Sequence, residues 1–199
     1  TSNSRNLAML HMKGDIGVFL DDDVVLEHDS MIRIANAYIE HKDADIITFQ
    51  SQYFSGKYFK SYSDNSFKHN KYTLKNISDI EITFRKTIIE KKVLFNTLFG
   101  LGAKFPLGEY LIFLTDCYNA ESNMYYVPGV IVKHPDCLHS GIQFIQNYEE
   151  GRGALFACLS KYLFPFMIFY FAIRKYSMYK NKHSFWREVY FMFKGAIKY

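Results

Sequence analysis

Three consecutive aspartates, Asp21, Asp22 and Asp23, follow directly on the short apolar run DIGVFL and precede Val24, Val25 and Leu26. A run of that length and composition reads as a buried strand over Asp15 to Leu20. The acids then stand at its C-terminal edge, where open α/β sheets bind ligands. Three ionised carboxylates cannot share a partly buried strand end without a compensating cation, because like charges a few ångströms apart repel strongly there. An oxygen-only donor set suits a hard divalent ion, Mg²⁺ or Mn²⁺, which keeps positions open for water and substrate phosphates. Alternate side chains of an extended segment point the same way, so Asp21 and Asp23 are expected to face one ion and Asp22 to face elsewhere. A solvated turn with helix-capping acids is the other reading of a bare DDD; the apolar flanks weigh against it.

The surrounding pattern alternates helix and strand. Ser4 to Met12 reads as a short helix closed by Gly14, and Asp29 as the cap of a helix from Ser30 to His41 that packs through Met31, Ile34, Ala35, Tyr38 and Ile39. Strands are expected at Asp45 to Gln52, at Ser78 to Arg85 and at Met124 to His134, the last interrupted by Pro128 and Gly129. Between them lie a long surface segment from Tyr53 to Lys75, a weak helix over Thr87 to Phe95, a glycine-rich loop from Gly100 to Gly108 and a helix from Gly108 to Asn119. This order indicates an α/β layer architecture with a largely parallel sheet.

The character changes at Gly153. Ala154 to Ile173 is a nearly continuous apolar stretch of about the length that spans a bilayer. Lys161, Pro165 and the amphipathic aromatic segment Phe185 to Phe193 argue against a span. An interfacial helix pair, a helix docked on the domain and a true span all stay open. We therefore divide the chain into residues 1–150, an α/β domain, and 151–199, an aromatic and basic helical extension. The formal charge of +4 is concentrated in the last third, around residues such as Arg174, Lys180 and Arg187. Anionic lipid or phosphate partners, or simply a solvated basic face, would account for it. Cys117, Cys137 and Cys158 form no CxxC pair, so neither a disulfide framework nor a structural zinc site is indicated. With no charged leader before an apolar stretch at Thr1 to Arg5, the expected location is cytoplasmic, peripheral at the inner face of the plasma membrane.

The run SNSRNLAMLHMKGDIGVFLDDDVVL resembles the central segment of family 2 glycosyltransferases, in which an Arg-Asn pair opens a helix, a Gly-Asp follows and a strand delivers a metal-binding DxD motif. The resemblance implies an inverting, GT-A-like fold: a mostly parallel sheet with flanking helices, here with an incomplete nucleotide-binding half, since the family's first βαβ unit would precede Thr1. It places Asp21 and Asp22 on the donor side, Asp23 on the metal, and Arg5 and Asn6 on the nucleotide-sugar side of the cleft. The partners it implies are a nucleotide-sugar donor and a glycan or lipid-linked acceptor, with a membrane surface and without nucleic acid.

The segment FGLGAKFPLGEYLIFLTDCYNAESNMYYVPGVIVKHP resembles the acceptor-side part of the same family, where a glycine-rich loop leads to a Gly-Glu-Glu/Asp motif at a helix start. Tyr110 stands where the second acid would be, so the role of catalytic base falls on Glu109 alone. A helix N-terminus favours an ionised carboxylate, as a base requires. His134, at the end of a strand, is a candidate third metal ligand; a structural histidine is the other reading. The competing function is a catalytically incompetent fragment that serves as a lipid- or protein-interaction module.

Overall fold

The computed structural model describes residues 1–136 and 148–199, so Cys137 lies outside the described residues. The chain forms helix α1 (Ser2–Leu10), strands β1 (Ile16–Val18) and β2 (Val25–Leu26), helix α2 (Ser30–Glu40) and strands β3 (Ile46–Tyr53) and β4 (Phe67–Lys68). Next come β5 (Ile82–Arg85), a single turn α3 (Thr87–Glu90), α4 (Glu109–Asn119) and the long strand β6 (Met124–His134). Helices α5 (Tyr148–Leu159), α6 (Phe164–Arg174), α7 (Tyr176–Tyr179) and α8 (Phe185–Lys198) complete it. Two compact units result. One comprises residues 7–94 and, of the described residues, 113–136; the other comprises 1–6, 95–112 and 148–199.

The first unit is built on one sheet of order β1-β5-β3-β6-β2, with β4 also paired to β6. The α/β layering stands, but the expected parallel sheet is corrected: among the described residues β3 and β6 run parallel, and the other strand pairings are antiparallel. At the β1 edge Gly17 leaves room for the ring of Phe84, which stacks on Phe19 at 4.7 Å. The β3–β6 register shifts between Thr48 and Gln50 and again before Ser51. There β6 carries Gly129 at φ +143, against the side chain of Arg33. The interruption expected at Pro128 and Gly129 is thus an irregularity within a continuous strand, which a glycine's conformational freedom permits.

Helix α2 buries Ile34, Ala37 and Tyr38 against Ile47, Phe49, Ile131 and Val132, whereas Met31 and Ile39 face outward. The buried stripe is therefore rotated from the one expected. Asp29 precedes the helix but makes no side-chain cap bond; its carboxylate instead takes the guanidinium of Arg33, one turn on, at 2.5 Å. The segment after β3 is not featureless. It contributes β4 and roofs a cavity of about 350 Å³ whose lining includes Lys60, Tyr62, Phe67, His69, Asn76 and Tyr126.

The second unit is helical. Phe99, Phe105, Ile112, Ala154 and Leu155 form one buried cluster, and Ile168, Ala172, Val189 and Met192 form another. Helices α5 and α8 meet through glycines. A methyl on Gly153 would overlap the carbonyl of Met192, and one on Gly195 the carbonyl of Glu150. Glu150 itself takes ion pairs from Lys194 at 2.7 Å and Lys198 at 2.5 Å. The apolar stretch 154–173 breaks into two helices at Ser160–Leu163. Among the described residues no helix is long and apolar enough to cross a membrane.

Candidate active site

The sheet unit holds the aspartates. β1 ends at Val18, sooner than expected, and Asp22 and Asp23 lie in a turn between β1 and β2, so the acids are presented by a turn rather than by extended backbone. β2 then pairs antiparallel with the end of β6, Val25 opposite Lys133. That register carries Asp23 to the side chain of His134, with Oδ2 and Nε2 3.5 Å apart. Glu27 and Lys133 tie the two strands beside this point at 2.6 Å. The imidazole is framed by Tyr53 and by Phe59, whose ring meets it edge-on at 5.6 Å.

The proton arrangement on His134 decides what the pair can hold. Nδ1 lies 2.7 Å from the carbonyl oxygen of Pro135, an acceptor only, so Nδ1 carries the hydrogen and donates. In the neutral ring Nε2 is then a bare lone pair aimed at a carboxylate. Two acceptors facing each other are held together by a cation between them, either a proton on Nε2 or a metal ion. A histidine whose far nitrogen donates to a carbonyl is the usual form of a metal-bound imidazole. Asp23 and His134 therefore fit a divalent ion, with Asp21 and Asp22 beside them in sequence. Asp22 is exposed and Asp21 partly buried.

Among the described residues, three ligating side chains converge in the helical unit, where single atoms of Glu149, His183 and Glu188 lie within 4.8 Å of one another, whereas the sheet unit brings together the pair Asp23 and His134. His183 is bonded to Glu188 at 2.6 Å, and the charge of Arg152 acts on both glutamates, so this set already contains its own counterions.

The helical unit also holds Glu109, the first residue of α4, immediately after Gly108 at φ +93. Its carboxylate faces Arg5, with Oε1 3.4 Å from Nη1, and both side chains are largely buried. The Arg5 guanidinium also lies 4.3 Å from the ring centroid of Tyr110 and 5.9 Å from that of Phe95. Tyr110, where the family has a second acid, is thus an aromatic partner of the arginine that meets the remaining acid. Sequence reasoning missed this arrangement; the signal available was the coincidence of a lost acid with a gained aromatic next to Glu109.

Asn6 uses both ends of its amide on the backbone of Phe95, accepting from its N–H at 2.8 Å and donating to its C=O at 2.9 Å. Gly100 completes the surround of Glu109: an added Cβ would stand 2.7 Å from Thr1 Oγ1 and 3.3 Å from Glu109 Cδ. Only a glycine at its φ of +109 lets the loop pass this close. Asp116, two turns along α4, is exposed, with partial desolvation raising its pKa.

A mixed sheet with flanking helices, bearing a turn of carboxylates at a strand end, is a GT-A-like arrangement. The chain belongs to glycosyl transferase family 2, whose family model matches residues 1–115. Among solved structures it is similar to the crystal structure of S. aureus TarS 1–349, with a TM-score of 0.58 at 14% identity, over 92% of this chain and 55% of that one. A second crystal structure of S. aureus TarS matches with a TM-score of 0.50 at 15% identity, over 78% of this chain and 26% of that one. The chain thus spans about half the length of the first of these relatives. No curated protein matches the sequence.

Proposed function

We propose that this chain carries out inverting transfer of a sugar from a nucleotide-sugar donor to a glycan or lipid-linked acceptor, as a step in cell-surface polysaccharide synthesis. Asp23 and His134 are the proposed metal ligands for Mg²⁺ or Mn²⁺, and the observation that carries the reading is the 3.5 Å approach of the Asp23 carboxylate to Nε2 of His134. When bound, such an ion supplies a Lewis acid for a departing diphosphate. Asp21 and Asp22 are proposed to contact the donor. Arg5 is proposed to serve the donor side while orienting the Glu109 carboxylate it meets, and Asn6 to act through the Phe95 backbone that it clamps.

Glu109 is the proposed base. It takes the proton of the acceptor hydroxyl as that oxygen bonds to the anomeric carbon; the bond from that carbon to the diphosphate breaks, and the nucleoside diphosphate leaves with the electron pair. Residues 1–150 are the proposed transferase portion, with 151–199 holding it peripherally at the inner face of the plasma membrane.

The test is turnover of a panel of nucleotide sugars with Mn²⁺. Glu109→Gln should keep donor binding and lose rate by about 10²–10⁴-fold, the range expected for removal of a general base. Full turnover in Glu109→Gln, or in Asp23→Ala with chelator present, would reject the assignment.

A further inference from the structure

Helix α6 is apolar on every side. Its inner side buries Ile168 and Ala172 with Phe164 and Phe171 packed around them. Its outer side carries Phe166, Tyr170 and Ile173 at helical spacing, continued backwards by Tyr162 in the preceding turn. On α8, Trp186, Tyr190 and Ile197 repeat at the same spacing. All seven are between 62% and 85% exposed. The two stripes join where Phe169 of α6 meets Phe193 of α8, ring centroids 5.8 Å apart. A helix that is hydrophobic all round is normally buried, and a contiguous exposed apolar surface of this kind marks a contact with another phase or partner.

The charge around this belt identifies the partner. From Gly151 to Tyr199 the chain contains a single acid, Glu188, which is buried and bonded to His183. Exposed Lys161 and Arg174 bracket α6, and Lys180, Lys182 and Arg187 follow, with no exposed acid among residues 151–199. Arg174 reaches back to the hydroxyl of Tyr170 at 2.7 Å, and Arg187 lies over the ring of Phe191 at 5.4 Å. Aromatic tips and long basic side chains are what an interfacial helix presents to lipid headgroups.

We propose that the α6–α8 belt is a docking surface for an anionic lipid bilayer, lying in the plane of the interface with its aromatic rings at headgroup depth. At 11 residues, α6 is roughly 16 Å long, about half of the ~30 Å hydrocarbon core. It therefore lies along the surface rather than across it. The proposal does not rest on the transferase reading, since it needs neither donor nor metal.

Trp186, the one tryptophan in the chain, reports directly on the belt. The chain is mixed with phosphatidylcholine vesicles with and without phosphatidylglycerol, and sedimentation and Trp186 emission are followed. On anionic vesicles the chain should sediment, with a blue-shifted Trp186 quenched by bromine on the upper acyl chain. Raising salt from ~0.1 to ~0.5 M should weaken binding at least several-fold. Phe166→Ser with Tyr170→Ser should reduce it at least tenfold with far-UV circular dichroism unchanged, while Glu109→Gln should bind as the unaltered chain does.

Absence of sedimentation with anionic vesicles would overturn the proposal. So would equal binding to both vesicle types, or a dimer in solution that the Phe166→Ser, Tyr170→Ser variant abolishes, which would make the belt a face for a second copy.

Discussion

Replacing Gly195 by alanine sets two known effects against each other in the helical unit. Alanine is favoured over glycine in a helix interior by about 1 kcal/mol, so on propensity alone the variant would gain stability. The added Cβ, however, would overlap the carbonyl oxygen and carbon of Glu150 on α5. These are backbone atoms, so no rotamer change relieves the overlap and the helices must part. Overpacking of this kind costs about 1–3 kcal/mol, and parting also loosens the contacts of Met192 and Val189, which are buried against α6. The upper end of that range, less the propensity gain, predicts a net loss of about 2 kcal/mol. Gly153, which faces the Met192 carbonyl, should behave alike. The double variant should cost less than the sum of the two, because one separation relieves both overlaps. Urea unfolding followed by Trp186 fluorescence measures this, since the tryptophan lies on α8. A higher midpoint for Gly195→Ala would refute the close glycine-mediated crossing.

In the sheet unit, the buried carboxylate of Glu81 accepts from Lys60 at 2.7 Å, Tyr62 at 2.5 Å, Ser51 at 2.9 Å and the Ser78 N–H at 3.0 Å. Glu81→Gln would strand the ammonium of Lys60 and set an NH₂ against donors, so chemical unfolding should show a loss of about 3–5 kcal/mol. His69, bonded to Thr48 and Thr73 at 2.8 and 2.9 Å, has its pKa lowered from 6.5 to about 4 by burial and by the charge of Lys60. Between those values the unfolded chain binds a proton that the folded one does not. Stability should therefore be fully present above pH 6.5 and fall as the pH drops towards 4, by about 3 kcal/mol in all. His69→Gln should flatten that part of the stability profile; an unchanged slope would show that another group governs it.

Much of the proposed chemistry was visible before the fold. The acid triplet after an apolar run, Glu109 at a helix start and His134 at a strand end are local patterns; Glu109 does open α4 and His134 does end β6, whereas the acids stand in a turn beyond β1 and not on its extended end. Strand direction was not visible. An apolar run such as ITFR looks the same whether it pairs parallel or antiparallel, and the choice for β5 depends on contacts such as Phe84 over Gly17 that are distant in sequence. The face of α2 was misjudged because Met31 and Ile39 satisfy the 3.6 period nearly as well as Ile34 and Ala37; only the sheet beneath selects between them. The 154–173 stretch left a helix pair, a docked helix and a span open; the chain breaks at Ser160–Leu163, and Pro165 sits in the first turn of α6. The ring of Tyr110 against Arg5 is a tertiary contact between residues more than a hundred positions apart, which no local pattern encodes.

The account rests on Asp23 and His134 sharing a divalent cation, and titration of Mn²⁺ into the chain by electron paramagnetic resonance, with a nucleoside diphosphate present, tests this most directly. A saturable site should appear and weaken at least tenfold in both Asp23→Ala and His134→Ala, each folded as judged by circular dichroism. The same binding curve in all three proteins would contradict it.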